Sequence, residues 1–373
     1  MTAPPAAGRA RRKRESENKT LLGGPMEFTV DKDYLLETFT RLIGCDSPVG
    51  YYREMEPLMT SMIAELGHHA FRDRKHTVYV RVPGRDRSRT VCLGAHLDTI
   101  ALAVCSVEED GTLRGRHLGG VNFSSLEGTS CRVICRDGSK IDAVVEFDHH
   151  SPHVWTDAKK GRERDEDTMR IHLLEDVTCA EEARALGVTP GAVVAFEPEL
   201  EIHDNGFVLS RFIDDKACVA ALLGLLKWFG DTGSTPNCDI LLAFPFYEEV
   251  GWGGAYLPDD IEAYVALDIA LMGPEHPGTE HDVAVIADDY HGPYDWDLTN
   301  AVVEAGRRAL GTAPELQNAK LYSTDAMGAF LTANNVAAAA FGPLTRNTHG
   351  RELTHVDAMV KTQQLAASFV MHC

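Results

Sequence analysis

Two adjacent glutamates, Glu248 and Glu249, follow the apolar run 240–244 and precede the glycine-rich stretch 251–254. Packing does not explain a carboxylate pair after so apolar an approach; chemistry does. One carboxylate can bind a metal ion, and its neighbour can act as general base towards a metal-activated water. Four other segments carry residues of matching type. L-G-A-H-L-D-T at 93–99 supplies His96, with Asp98 two positions on. A carboxylate near a ligand histidine commonly fixes its second ring nitrogen, although H-x-D alone also fits a structural histidine. S-R-F-I-D-D-K-A at 210–217 sets Asp214 and Asp215 before an apolar helix. Helix capping needs one Asp; the other can bridge two cations. Asp268 ends an apolar strand in A-L-D-I-A, where a buried carboxylate requires a cation, a metal or several donors. T-R-N-T-H-G-R-E-L-T-H at 345–355 adds His349 and His355, one suited to ligation and one to a structural role. The set is sufficient for two closely spaced divalent ions and a base. Such ligands suit zinc, cobalt or manganese and do not choose among them.

The intervening sequence predicts the elements that place these residues. Leu35, Phe39, Leu42 and Ile43 recur at helical spacing behind acidic capping residues. A second helix is predicted over 55–66, ending at Gly67. Strands are predicted over 77–82 and 90–95 from their β-branched and small apolar residues. Between about 105 and 200 the texture changes to short alternating segments, such as 131–135 and 143–147, separated by glycine and charged turns. We read this as a small β-rich domain inserted into an α/β domain. Within it, 148–168 is strongly polar and reads as a mobile loop. His149, His150 and His153 there are expected to be solvated. The α/β rhythm then resumes. Helices are predicted over 216–229, 297–310, 325–333 and from Val356. Strands are predicted over 240–244, 264–267 and 336–341. Helices alternating with buried strands imply a central, largely parallel sheet covered on both faces. Each candidate ligand then falls just past a strand end or at a loop-to-helix junction, where open α/β sheets bind ligands.

The ordered set A-H-L-D, I-D-D-K, E-E-V-G, A-L-D and R-N-T-H resembles the dinuclear-metal aminopeptidases that include the tetrahedral TET enzymes and glutamyl aminopeptidase. The resemblance runs from about residue 30 to the end. His96 and Asp214 lie 118 positions apart, leaving room for the β-barrel-like domain that this family inserts there. The resemblance implies an α/β fold with a mixed, mostly parallel sheet flanked by helices. It implies a catalytic domain at 26–104 and 201–373, with the insert at 105–200. It assigns His96 and Asp268 to one metal, Glu249 and His349 to the other, and Asp214 as the bridge. Glu248 becomes the general base, and Asp98 orients His96. Asp325 falls where the family has a T-D-A motif. The family also implies cleavage of N-terminal residues from peptides and homo-oligomers, either dimers or dodecamers. The chain departs from the family around its last ligand. Asn347 and Thr348 stand between Arg346 and His349, and Gly350-Arg351-Glu352 replaces the usual Ser-Pro.

Composition narrows the remaining classes. The chain has 373 residues, 36 basic and 56 acidic, for a formal charge of −20. Phosphate backbones and anionic membrane surfaces select Lys and Arg, so neither nucleic acid nor membrane is an expected partner. A peptide or small amide is the expected substrate. The nine cysteines, with no preceding signal peptide, read as reduced residues of a cytoplasmic protein. Residues 1–25 form a basic tail read as disordered. Two competing readings remain: a deacylase or carboxypeptidase-type hydrolase of a small N-acyl amino acid or dipeptide, and a non-catalytic metal-stabilised protein. The spare Glu248 disfavours the second, since a structural site needs no base.

Overall fold

The computed structural model describes residues 28–156 and 161–373. The basic tail and residues 157–160 of the polar loop lie outside the described residues. The main sheet orders its strands Ala70–Arg72, Val78–Val82, Cys238–Phe244, Asp86–Gly94, Ala263–Leu267, Ala337–Thr345, Val283–Asp289 and Gly292–Pro293. The four strands from Cys238–Phe244 to Ala337–Thr345 run parallel, and antiparallel strands flank them on both sides. The sheet is therefore mixed around a parallel centre.

Side-chain alternation divides the strands between two cores, as the period of two requires. Val78, Val80, Leu93, Leu242, Val265 and Phe341 join one core, together with the helices Lys32–Ile43, Met55–Glu65, Ile213–Thr232 and Val356–Val370. Tyr79, Cys92, Leu241, Ala266 and Ala340 join the other, against the helix Asp325–Leu331. Both faces are covered, which is why the central strands read as unbroken apolar runs. The alanine run at 337–340 sits in the middle of the sheet.

Among the strands that the sequence reading did not name, three bear on the site. Val283–Asp289 pairs with Ala337–Thr345 and adds the sheet's antiparallel side. Phe207–Ser210 and Glu352–His355 pair with each other in a small separate sheet, where Ser210 faces Glu352. That pairing brings the chain just before Asp214 against the chain just after His349.

The inserted segment closes a six-stranded barrel whose strands run from Ala101–Val107 to Val193–Phe196. In its polar loop His149 is half-buried, and His150 and His153 are exposed. His149 stacks on Trp155 at 5.4 Å between ring centres, and His150 meets the same ring edge-on at 4.6 Å. The nine cysteines are all free, five of them buried. No metal-binding group among the described residues includes a cysteine or the loop histidines. No helix among the described residues is long and apolar enough to cross a membrane.

Candidate metal centre

Parallel register delivers the candidate ligands to one place. Gly94 pairs with Ala243, and Leu267 with Phe341, so the carboxyl ends of the central strands are level. His96, Glu248, Glu249 and Asp268 follow those ends. The start of the helix Ile213–Thr232 brings Asp214, and the turn after Ala337–Thr345 brings His349. These six candidates thus converge, with the seventh, Asp98, beneath them. Asp214, Glu248, Glu249, Asp268 and His349 line a cavity of about 220 Å³.

Asp214 lies at the middle. Its Oδ1 is 3.0 Å from His96 Nε2, and its Oδ2 is 3.5 Å from His349 Nε2. His349 Nε2 is also 3.6 Å from Glu249 Oε2. Ligand atoms of His96, Asp214 and Glu249 lie within 4.8 Å of one another, as do those of His96, Asp215 and Asp268. Glu248 Oε2 stands 3.7 Å from His96 Nε2.

Asp98, Asp215 and Glu352 hold backbone. The second nitrogen of His96, Nδ1, donates to the carbonyl oxygen of Asp98 at 2.9 Å; the Asp98 carboxylate is 3.7 Å away. That carboxylate accepts the N–H groups of Glu248 and Glu249, one on each oxygen, at 3.1 Å each. Asp98 therefore orients His96 through its backbone and the glutamate pair through its side chain. Asp215 Oδ2 accepts the N–H of His96 at 3.1 Å. Glu352, which the sequence reading passed over, accepts the N–H groups of Asp214 and His349, each at 3.0 Å. Its one legible signal was the departure from Ser-Pro after His349.

The barrel also reaches the centre. His349 Nδ1 donates to the carbonyl oxygen of Gly120 at 2.7 Å. A Cβ on Gly120 would lie 2.7 Å from that nitrogen, so the approach requires glycine. Gly253 and Gly254 have a different reason. Their absent side chains admit Asp325, whose carboxylate and carbonyl would each meet a Cβ at about 2 Å. The W-G-G stretch is thus a seat for the helix Asp325–Leu331.

Electrostatically the centre is strained towards protons or cations. Burial pushes Glu248 and Asp268 well above the usual carboxylate range, and neighbouring carboxylate charges add to this. Burial likewise pushes Glu249 up to about 7. Burial would lower His96, but Asp214 and Glu248 outweigh it and hold the imidazole well above its ordinary value. Asp214 goes the opposite way: the two imidazoles overcome its burial and hold it low. Asp215 Oδ1 and both Asp325 oxygens are buried without a hydrogen-bond partner. Burying so many carboxylates against two imidazoles is unfavourable unless positive charge joins them. The donor set of His and carboxylate fits divalent cations.

His355 lies apart. Its Nδ1 accepts the N–H of Asp357 and caps the helix Val356–Val370, while its Nε2 donates to the Asn205 carbonyl oxygen. Both ring nitrogens are engaged, so the grouping of His281, His355 and Asp357 is a structural one.

An acid-rich centre at the strand ends of a helix-flanked sheet, with a barrel inserted beside it, is suited to metal-assisted hydrolysis. The sequence pattern of M42 glutamyl aminopeptidase matches residues 77–365, and the chain belongs to that family. It is 30% identical over 340 residues to "Putative aminopeptidase YhfE" of Bacillus subtilis, covering 90% of this chain and 96% of that protein. It is 26% identical over 185 residues to lysyl aminopeptidase of Pyrococcus furiosus, covering 48% of this chain and 51% of that one. Its fold superposes on aminopeptidase APDkam598 from Desulfurococcus kamchatkensis with a TM-score of 0.81, at 20% identity, over 92% and 96% of the chains. The TET1 peptidase of Pyrococcus horikoshii matches with a TM-score of 0.78, at 20% identity, over 91% and 100%.

Proposed function

We propose that the centre holds two divalent cations and removes the amino-terminal residue from peptides. The observation that carries this is the placement of Asp214, with one oxygen towards His96 and the other towards His349. A carboxylate so disposed can serve two ions at once. His96 and Asp268 would complete one site, and Glu249 and His349 the other. Asp215, tied through Oδ2 to the backbone of His96, is an outer support. The bound cations would supply electrophilic polarisation and a readily ionised water.

Glu248 lines the cavity with its Oε2 3.7 Å from His96 Nε2. It takes a proton from the attacking water as the oxygen bonds to the carbonyl carbon. It returns that proton to the departing nitrogen as the C–N bond breaks. Its burial favours holding the proton between those two moments. A substrate's terminal amino group would sit on a cation or an acidic side chain, which confines cleavage to the chain end. We further propose a cytoplasmic homo-oligomer using zinc, cobalt or manganese. The TET1 peptidase of P. horikoshii assembles into a tetrahedron or a large octahedral shell; light scattering would read the assembly here.

Elemental analysis of dialysed protein, beside hydrolysis of aminoacyl-p-nitroanilides before and after chelation, tests the reading. We expect two metals per chain, loss of activity on chelation, and recovery on adding the metal back. Glu248→Gln should bind metal normally and lose roughly 10²–10⁴-fold in kcat. Fewer than one metal per chain, with activity indifferent to chelator, would sink the assignment.

A further inference from the structure

The cavity wall facing the centre has a chemistry of its own. It is built from His291, Leu321, Tyr322, Ser323, Thr324 and Leu331, with glycines between. Most polar atoms of that wall are already engaged. Tyr322 OH donates to the Ile269 carbonyl oxygen at 2.9 Å, and Ser323 Oγ to Asp289 Oδ2 at 2.8 Å. Thr324 Oγ1 shares a hydrogen bond with Tyr294 OH at 2.8 Å and accepts the Ala326 N–H at 3.2 Å. The hydroxyl donors of these residues are spent, and the rest of what they present is largely hydrocarbon. Leu321 and Leu331 add to it, exposed at 93% and 58%. No Lys or Arg lines the cavity among the described residues, and its only carboxylates are Asp214, Glu248, Glu249 and Asp268.

Resting on the aminopeptidase reading above, we propose that this wall receives the side chain of the terminal residue and selects apolar, uncharged ones such as leucine or methionine. A lysine side chain would find only the carboxylates that hold the cations and Glu248, which proton transfer occupies. A glutamate side chain would meet His291 alone, in the field of a chain with a formal charge of −20. A buried charge without a partner is costly, whereas an apolar side chain gains from burial there. The volume, about 220 Å³, falls below the roughly 300–1,000 Å³ of pockets for drug-sized ligands. It suits a single terminal residue.

Two measurements on the metal-loaded full chain test this. The first is kcat/KM for leucine, methionine, lysine and glutamate p-nitroanilides. The second is calorimetric binding of leucine, lysine and glutamate hydroxamates, which needs no turnover. Leucine and methionine substrates should exceed lysine and glutamate by at least about 10-fold, and leucine hydroxamate should bind tightest. Preference for lysine or glutamate in the binding series overturns the pocket, whatever the turnover. Tightest binding of leucine hydroxamate without cleavage of any p-nitroanilide leaves the pocket standing and removes the peptidase reading instead. Leu331→Asp, at an exposed position that folding tolerates, should raise the lysine-to-leucine ratio of kcat/KM at least about 10-fold. An unchanged ratio in both Leu331→Asp and Leu321→Asp counts against the assignment.

Discussion

Glu352 touches no substrate, yet its two oxygens fix the backbones of two candidate ligands that lie 135 residues apart, Asp214 and His349. Supports of this kind typically matter 10–100-fold to metal affinity or activity. Glu352→Gln keeps shape and volume but sets an NH₂ group against one of the two N–H donors. We expect metal affinity, read by the visible spectrum of a Co²⁺ titration, to fall about 10–100-fold while circular dichroism is unchanged. Unaltered cobalt binding would reduce Glu352 to a packing residue. The raised carboxylates also carry a pH consequence. Burial brings Glu249 from its ordinary 4.5 to about 7, and brings Asp325 to about 7. Between about pH 4.5 and 7 the native state therefore binds more protons than the unfolded chain, and stability falls as pH rises. Metal-free protein should lose thermal stability across that window. Added cation should offset the loss, because it binds the native state and replaces the protons. Denaturation scans with and without cation would show the two slopes.

Elements bring these residues together by different means. The parallel strands act as rulers, since level carboxyl ends place His96, the Glu248–Glu249 pair and Asp268 within one crevice. The turn carrying His349 is placed by less regular means. Asn347 and His349 adopt left-handed backbone at φ of 58° and 59°. The small sheet of Phe207–Ser210 and Glu352–His355 then anchors the far side of the turn. The barrel completes it through the Gly120 carbonyl. Gly120→Ala would drive a methyl group into the His349 ring. The ring must move, and we expect weaker metal binding with the barrel intact, by roughly the same 10–100-fold. Full cobalt affinity in Gly120→Ala would show that the turn adjusts without cost.

On the scale of the molecule, the barrel is fastened to the catalytic sheet by charge. Asp46 pairs with Arg132 at 2.6 Å and with Lys140 at 2.8 Å; Lys140 also pairs with Glu54 at 2.7 Å, and Arg132 with Glu197. The Asp46 side chain is only 10% exposed. Burial would raise its pKa, but Arg132 and Lys140 outweigh burial and hold it low. Its contribution is complete above the unfolded value of about 3.9 and is lost as pH falls through the folded one. Asp46→Asn should cost roughly 1.5–3 kcal/mol at pH 7, measured by urea denaturation. The difference from wild type should shrink as pH approaches 3. A constant difference at all pH values would mean that Asp46 contributes by shape and not by charge.

The period-two runs, the helical spacing and the adjacent acid pairs were legible in the residues themselves, because burial on both faces and metal chemistry constrain residue type locally. The family resemblance rested on those same local patterns. Other features depend on long-range pairing, which leaves no local trace. Glu352–His355 is a strand because distant partners accept its hydrogen bonds. Nothing near Glu352 or Gly120 in the chain announces a partner more than 130 positions away. The carboxylate of Asp98 was read from H-x-D as the support of His96. Folding instead set Glu248 and Glu249 above it, and their N–H groups took its oxygens. Residue type determined which groups could bind a cation. Tertiary structure decided which of the many acids would face the cavity and which would hold the backbone, because hydrogen-bond geometry, not chemistry, separates a ligand from its support.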